Sequence, residues 1–438
     1  MSTKQPRVPG AQSRALLCGA ITAAALAIVG CGGDQSSSSS DRTGGESGLT
    51  LAGTEKATGT VTFCGAKDIS GINTSGLKRF NQAFAAQGLK ARMVEFPEGD
   101  QQRSQFIQRQ QAKSPECDIF DASDEWLAEF VSQGWLEDLT AYVDSRKDEF
   151  IPATLKAGNI ERRQWSVPFA VDSGLIYYRT DQVESAPKTW QDLYARAAQT
   201  DGITYQGAAY EGLTCNFLEV ALSAGGQVLS ADGKKSAINS PQNLAALELM
   251  ADGAQNGAAV KGVTTYQEEE ARRSFENGRA TFERNWPYAY ALGQKAPKIK
   301  GNFDVAPLPA FEEGGKAVGI LGIDSYVISR YSKNKQGALK LIDFLTTPET
   351  FKVSAIKHSR TPPLTALFDD PSVRKAIPFA DDLRTAIENG AVRPRTPVYP
   401  LVSEAIFKNV NRALAGYISP EDALKHADTQ INKALQTF

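Results

Sequence analysis

The sequence predicts an α/β protein with two domains, and three observations support this prediction. First, its 438 residues exceed the roughly 250–300 residues at which a single hydrophobic core stops growing. Second, segments with strand-like and helix-like periods alternate between residues 60 and 122, which is typical of a parallel sheet with helices on both faces. Third, extended apolar stretches at 164–179 and 303–309 could carry the chain between two domains.

The N-terminal residues carry signals for export. Basic residues precede an apolar run at 15–29, which is shorter than the roughly 20 residues that a transmembrane helix needs. The residues Ile28-Val29-Gly30-Cys31 resemble a lipobox, so residues 1–31 are expected to be a lipoprotein signal peptide with Cys31 as the lipidated residue. The alternative is a plain signal peptide with an incidental cysteine. Residues 32–58 are rich in Gly, Ser and charge, and predict a flexible tether with a reach of roughly 30 Å.

Composition restricts the possible functions. The net charge of -2 and the pI of about 6.0 give no electrostatic basis for binding nucleic acid. His358 and His426 are the two histidines and lie in separate helical contexts, so no local H-E-x-x-H zinc site or histidine triad is encoded. A glycoside hydrolase needs two carboxylates. With 50 acidic residues, a secreted enzyme of that kind remains an alternative.

Three cysteines follow the signal segment, namely Cys64, Cys117 and Cys215. An odd number in an oxidising compartment leaves at least one thiol unpaired within the chain. Cys64 would end one strand and Cys117 begin another, so in neighbouring parallel strands the two thiols would lie at opposite ends of the sheet. We therefore expect buried free thiols that behave as small apolar residues.

The segment after the tether predicts the order strand, helix, strand, helix, strand. The strands are 60–64, 91–96 and 117–122, and Asp68 and Asp124 follow the first and the third. Ligands gather at the carboxyl ends of parallel strands, so both carboxylates are expected at one crevice. The alternative for each is a helix N-cap or first-turn acid. Farther along, helix caps are predicted at Thr189, Ser240, Ser332 and Ser419, and a tight turn at Asp232-Gly233.

The stretch 282–290 concentrates aromatic rings, an amide and opposite charges around Trp286-Pro287. Proline biases the preceding residue away from helix, so Trp286 is expected at a backbone break, with a helix starting after it. An exposed indole beside polar groups suits a sugar, whose axial hydrogens form an apolar face rimmed by hydroxyls. The alternative is a core tryptophan at a helix entry.

Several segments together resemble one known family. The segments that carry this resemblance are the lipobox and tether, Asp124-Glu-Trp-Leu, Gly134-Trp-Leu136, Val167-Pro168, Tyr177-Tyr-Arg-Thr-Asp181, Phe275-Glu-Asn-Gly278, Arg284-Asn-Trp-Pro-Tyr288, Tyr331-Ser-Lys-Asn-Lys335 and Arg393-Pro394. With these segments the chain is similar to the extracellular solute-binding lipoproteins of ABC sugar importers, and most similar to their trehalose/maltose-binding branch.

The resemblance implies a two-lobed periplasmic-binding-protein-like fold of type II, with discontinuous lobes joined by hinge strands. Residues 58–170 plus 310–348 would form the N-terminal lobe, and residues 173–306 plus 350–438 the C-terminal lobe. The extended stretches noted above fall at the implied hinges. The implied function is sugar uptake, with a disaccharide such as trehalose or maltose bound between the lobes and no cofactor, metal or catalytic residue.

The resemblance also implies binding roles for individual residues. Asp68, Asp124, Asp172 and Glu270 would accept hydrogen bonds from sugar hydroxyls, although Glu268 and Glu269 compete for the place of Glu270. Trp286 would stack on a pyranose ring. The remaining implied contacts are a forked donor, Arg393, and the second-rank residues Glu211, Asn216, Asn285 and Tyr288. The implied partners are an α-glucoside disaccharide and ABC permease subunits, with no nucleic acid. The body would be a monomer, lipid-anchored at the extracellular face of the bacterial membrane.

Overall fold

The computed structural model of the chain describes residues 48–68, 71–97 and 100–437. The predicted signal peptide, the lipidation residue Cys31 and most of the tether lie outside the described residues. Within them, the chain forms two mixed sheets flanked by helices. This architecture confirms the predicted α/β class.

The longer elements alternate along the chain. The strands are β1 Gly59–Ala66, β2 Leu89–Phe96, β3 Ile119–Ser123, β4 Asn159–Ile160, β5 Arg163–Gln164, β6 Val167–Ser173, β7 Leu175–Arg179, β8 Ile203–Thr204, β9 Phe282–Asn285, β10 Phe303–Pro307 and β11 Leu321–Ile328. The helices are α1 Ile72–Ala83, α2 Asp100–Gln111, α3 Asp124–Ser132, α4 Thr140–Asp144, α5 Pro152–Leu155, α6 Trp190–Ala197, α7 Glu211–Ser223, α8 Pro241–Gln255, α9 Glu268–Glu276, α10 Tyr288–Gly293, α11 Lys335–Leu345, α12 Pro348–His358, α13 Pro371–Ala376, α14 Ala380–Glu388, α15 Tyr399–Leu414 and α16 Pro420–Leu435.

The first sheet has the strand order β2-β1-β3-β11-β6. Strands β1, β2 and β3 are parallel, as the alternating pattern predicts. Strand β11 enters antiparallel between β3 and β6. Apolar side chains such as Phe63, Phe80 and Ile342 are fully buried between this sheet and helices α1 and α11. This sheet and its helices form the first lobe.

The second sheet has the order β10-β7-β9-β8. Helices α7, α8, α15 and α16 pack together beside it around buried residues such as Phe217, Leu247 and Ile406. These elements form the second lobe. Strand β6 of the first sheet is separated from β7 of the second by Gly174 alone, and β10 and β11 also belong to different sheets. Both changes of sheet fall within the extended stretches where the sequence predicts crossings.

The division between the lobes differs from the predicted boundary at 348–350. Helix α12 packs against α1 and α11 of the first lobe. The segment after it also stays with the first sheet, because the Val171 N–H donates to the Thr361 carbonyl at 3.2 Å. Helix α14 contacts both β6 and β10. The chain therefore returns to the second lobe later than the sequence predicts.

The predicted state of two cysteines is wrong. Cys64 and Cys117 form a disulfide, with their Cα atoms 5.7 Å apart. The prediction placed both residues within regular strands, but β3 begins only at Ile119, and Cys117 precedes it. Cys117 therefore lies outside the β1–β3 pairing, so the regular strand geometry on which the prediction relied does not apply to it. Cys215 is a buried free thiol, as predicted.

Two further observations concern the described residues as a whole. None of their helices is long and apolar enough to cross a membrane. They also contain no group of three or more His, Cys, Asp or Glu side chains placed to hold a metal ion.

Candidate functional site

A cavity of about 570 Å³ lies where the first lobe faces the second. Helices α2 and α3 supply its walls from the first lobe, and the N-terminal regions of α7 and α15 supply them from the second. Residues of both lobes therefore line the cavity. Its lining residues are Arg103, Glu125, Trp126, Ala209, Tyr210, Glu211, Tyr399, Pro400, Ser403, Glu404 and Phe407.

The lining combines flat apolar surfaces with polar groups. Trp126 comes from the first lobe, whereas Tyr210 and Tyr399 come from the second. Arg103 binds Glu129 through its Nη2, but its Nε has no hydrogen-bond partner among the described residues. Buried donors of this kind normally have a partner. Arg103 Nε is therefore a buried donor in the cavity wall that lacks its usual partner.

A buried guanidinium joins the two lobes at the edge of this cavity. Arg393 forms ion pairs with Asp124, with Glu125 at 2.9 Å and with Glu211 at 3.1 Å. Asp124 and Glu125 open α3 in the first lobe, and Glu211 opens α7 in the second. The sequence-predicted residues Asp124, Arg393 and Glu211 are thus brought together. We call these four side chains the Arg393 cluster.

Further hydrogen bonds hold the carboxylates of the cluster. The Ile323 N–H of β11 donates to Asp124 Oδ1 at 3.1 Å. The Tyr399 hydroxyl donates to Glu211 Oε1 at 2.6 Å, and the Ser403 hydroxyl donates to Glu211 Oε2. Burial raises the pKa of Asp124 to about 6, although Arg393 opposes the rise. Burial also raises the pKa of Glu211.

Asp172 lies in a second group of carboxylates, on the first sheet. Its Oδ1 accepts a hydrogen bond from the Thr361 hydroxyl at 3.0 Å. Burial and the nearby charge of Asp324 raise the pKa of Asp172 to about 6. The same two causes raise the pKa of Asp121 to about 7. Arg360 opposes the rise at both Asp121 and Asp172. Asp172 is therefore placed near the end of β6, but outside the cavity lining.

Trp286 lies between β9 and α10, at the backbone break that its proline predicts. Its indole is half-buried and rests on the Arg284 guanidinium, 4.0 Å from the ring centroid. The Tyr177 hydroxyl donates to the Trp286 carbonyl at 2.8 Å. Arg284 is itself held by Glu219, whose Oε2 accepts from Nε at 2.7 Å. The buried Glu219–Arg284 ion pair thus packs against one face of the Trp286 indole.

The glutamates at the start of α9 have different roles. Glu270 Oε2 accepts the Gln267 N–H at 3.2 Å in a capping box. Glu269 accepts a hydrogen bond from the Tyr288 hydroxyl at 3.1 Å and forms an ion pair with Arg272. Of these two neighbouring glutamates, Glu269 is the one in contact with the Trp286 stretch. The ligand role of Glu270 stays a prediction.

The other predicted residues also have structural partners. Asp68 Oδ2 accepts the Thr74 N–H at 2.7 Å in the first turn of α1, so its carboxylate serves the helix start. The Asn216 side chain donates to Gln206 Oε1 at 3.1 Å. The Asn285 side chain donates to Glu283 at 2.6 Å. None of these three predicted residues lines the cavity.

Sequence reasoning missed several residues at the cavity, above all Trp126, Tyr210 and Tyr399. Trp126 directly follows the paired acids Asp124 and Glu125, a pattern that is typical of the first turn of a helix. Tyr399 could have been found from its position shortly after the Arg393-Pro394 motif. It is the first residue of α15, so it lies close to Arg393 at the cavity. Arg103 carried no signal beyond its place on a polar helix.

The model of the family "Bacterial extracellular solute-binding protein" matches residues 70–350, which is more than half of the chain. A relative in Deinococcus radiodurans, described as "Probable ABC transporter-binding protein", is 32% identical over 393 residues, covering 85% of this chain and 93% of that protein. This chain belongs to the bacterial extracellular solute-binding protein family.

Two further similarities show which solutes relatives bind. A solved structure described as "Maltose bound T. maritima MalE3" is 35% identical, with a TM-score of 0.76, and the match covers 86% of this solute-binding protein and 99% of that one. The "Galactooligosaccharide-binding protein" of Bacillus subtilis is 23% identical over 438 residues, with 94% of each chain covered. The first similarity also supports the two-lobed type II fold.

Proposed function

We propose that this protein is the substrate-binding component of an ABC transporter for sugar uptake, and that it binds an α-linked disaccharide such as trehalose or maltose between its lobes. The observation that carries this proposal is the cavity of about 570 Å³ between α3 and the starts of α7 and α15. Small-molecule sites are typically clefts of about 300–1,000 Å³. The volume of this cavity lies within that range, which suits a ligand of the size of a disaccharide.

The chemistry of the lining supports a sugar. The half-buried rings Tyr210 and Phe407 line the cavity and could offer apolar faces on which a pyranose can lie. Glu125 and Glu211 offer carboxylate oxygens that can accept from sugar hydroxyls. Arg103 adds a guanidinium to the same wall, and its Nε lacks a partner among the described residues. Mixed aromatic and charged walls of this kind distinguish a sugar from a purely apolar ligand.

The comparisons support the same function. The similar T. maritima structure is described as holding maltose, and the Bacillus subtilis relative is described as binding galactooligosaccharides. The Deinococcus radiodurans relative is described as a "Probable ABC transporter-binding protein". Permease subunits are accordingly the proposed membrane partners of a monomeric body.

The predicted site residues fall into two groups, those at the cavity and those that would contact the sugar only after the lobes move. Arg393 and Asp124 border the cavity, and Glu211 lines it. Asp172, Asp68 and Trp286, with the second-rank residues of the same stretch, would reach the sugar when the lobes move relative to each other. Ligand that contacts both lobes shifts the open and closed populations by its differential affinity.

The proposed attachment to the membrane is through Cys31, followed by the tether at 32–58. This part of the proposal rests on the lipobox-like residues Ile28 to Cys31. Cys31→Ala should release the protein from the membrane without changing its thermal stability. Fractionation with metabolic lipid labelling checks this, and a variant as firmly bound and labelled as wild type would contradict it.

A thermal-shift screen against maltose, trehalose, sucrose and galactooligosaccharides tests the binding function. A ligand that binds only the native state adds RT ln(1 + [L]/Kd) to stability, about 2.7 kcal/mol at 100-fold excess over Kd. We expect a shift with an α-linked disaccharide, reduced in Tyr399→Ala. Tyr417→Ala is the matched control, because Tyr417 is 78% exposed and lies outside the cavity lining. Equal shifts in both variants would refute the assigned site.

A further inference from the structure

Three segments that connect the lobes run side by side, and each contains a glycine that a larger residue would not fit. They are Ser173-Gly174, Gly319-Ile320 and Gly390-Ala391. The Ala391 N–H donates to the Gly319 carbonyl, and the Leu321 N–H to the Ala391 carbonyl, both at 2.9 Å. A Cβ on Gly319 would overlap Ser173 Oγ, and one on Gly390 would overlap the Leu321 side chain. None of the three glycines has a positive φ, so lack of space, and not backbone conformation, is what excludes a larger residue at each position.

Beside these segments lies a fully buried ion pair, Glu219 with Arg284. Glu219 Oε1 accepts the Ile320 N–H at 3.3 Å, so this carboxylate on α7 is bonded directly to a connecting segment. Gly174 is in contact with the same pair, because a Cβ there would overlap Glu219 Oε1 and lie 2.7 Å from Arg284 Nη2. The pair therefore contacts two of the three connecting segments.

The other side of the pair faces Trp286. The Arg284 guanidinium lies under the indole ring, 4.0 Å from its centroid, where a cation is attracted to the ring face. Its Nη1 donates to Gln206 Oε1 at 3.0 Å. A continuous set of contacts thus leads from Trp286 through Arg284 and Glu219 to Ile320.

Burying two charges is costly, and such pairs are often no more stabilising than apolar residues of the same size. Stability alone therefore gives little reason for this pair to lie at the lobe connection. We propose that Glu219 and Arg284 are positioning residues that set the open and closed populations of the lobes and couple them to the environment of Trp286. This inference rests on the proposed function, because it gives the connection a role in sugar capture.

The test removes both charges while keeping side-chain volume. In Glu219→Gln/Arg284→Met, the Ile320 N–H keeps an acceptor of lower charge and the indole loses its cation. Coupling residues typically change affinity by roughly 2- to 30-fold. We expect a loss in that range for maltose by calorimetry, together with a changed radius of gyration of the ligand-free protein by small-angle X-ray scattering.

A second variant keeps both charges in place. Gly174→Ala inserts a methyl group against the pair and should change the ligand-free radius of gyration in the same way. The control is Lys335→Met/Glu137→Gln, which removes a partly buried ion pair of the first lobe away from the connecting segments. Its scattering and affinity should match wild type.

The two measurements separate this inference from the proposed function. Scattering of the ligand-free protein needs no sugar, so it tests the connection even if wild type binds none of the sugars. If Gly174→Ala, or a folded double variant, has the scattering profile and maltose affinity of wild type, the inference is overturned. Changed scattering with no sugar binding by wild type would support the positioning role and refute the proposed function.

Discussion

Arg393→Met should destabilise the protein strongly, because Arg393 is the cation shared by Asp124, Glu125 and Glu211. The guanidinium and the Asp124 carboxylate are both buried. Removing one partner of a buried ion pair costs about 3–5 kcal/mol, since the remaining charge is left without compensation. Three carboxylates depend on Arg393, so we expect the upper part of this range at about pH 8.

The loss should also depend on pH in a defined direction. Burial already raises the pKa of Asp124 to about 6, and Arg393 opposes that rise, so the variant should have a still higher Asp124 pKa. As pH falls from about 8 towards 6, the folded variant takes up a proton that wild type does not, and its stability recovers relative to wild type. Below about pH 6, Asp124 is neutral in both proteins and the difference levels off.

Urea unfolding of both proteins at several pH values measures this difference. Arg374→Met is the matched control, because it removes an exposed ion pair with Asp381, and exposed pairs contribute about 0–1 kcal/mol. A loss below about 1 kcal/mol for Arg393→Met, or a loss that grows on acidification, would refute the reasoning that the cluster is a buried charge network.

Three other expected outcomes follow from the structure. Asp121→Asn should lose a pH dependence of stability that wild type shows, because burial raises the folded pKa of Asp121 to about 7 from an ordinary 3.8. As pH falls between these values, the free energy of unfolding of wild type should rise relative to that of the variant, by up to about 1.4 kcal/mol per pH unit in urea unfolding. A difference between the two proteins that does not change with pH contradicts this. Cys64→Ala/Cys117→Ala should lower the free energy of unfolding by about 2–4 kcal/mol, because the disulfide closes a loop between residues separated by 53 positions, and a stability equal to wild type contradicts it. Trp286→Ala should weaken sugar binding by about 2–4 kcal/mol while the free protein melts near wild type; a destabilisation of about 3–5 kcal/mol with normal binding would instead identify a core residue.

Local signals in the sequence predicted the elements well, because those signals act within a few residues. Thr189 Oγ1 accepts the Asp192 N–H at 3.0 Å, and Ser240 and Ser419 cap their helices as expected. The turn at Asp232-Gly233 is present, with Gly233 at φ 70°. The cap at Ser332 is wrong, since Asn334 caps α11 and the Ser332 hydroxyl donates to Asp118.

The site was predicted less completely, because its geometry depends on contacts distant in sequence. Asp124, Arg393 and the second-rank candidate Glu211 are predicted as ligand-binding residues, but their direct ion pairing joins residues up to 269 positions apart and has no local signal. Trp126 and Tyr399 look like ordinary helical residues until the two lobes place them on one cavity. The disulfide was missed for the same reason, since a short irregular segment before β3 decides where Cys117 lies.

The alternative of a glycoside hydrolase is separated from a binding protein by product analysis. Stoichiometric protein incubated with trehalose, maltose and sucrose should release no glucose beyond a protein-free blank. Release that survives repurification and disappears in Glu211→Gln would favour an enzyme, because paired carboxylates perform that chemistry.

Calorimetric titration of the purified protein with maltose and trehalose tests the central claim most directly. We expect saturable binding of one disaccharide per chain, weakened in Trp126→Ala and Tyr399→Ala and unchanged in Tyr417→Ala, because only the first two rings line the cavity between the lobes. No saturable heat with any α-linked disaccharide, or binding that both cavity variants leave unchanged, would contradict the account.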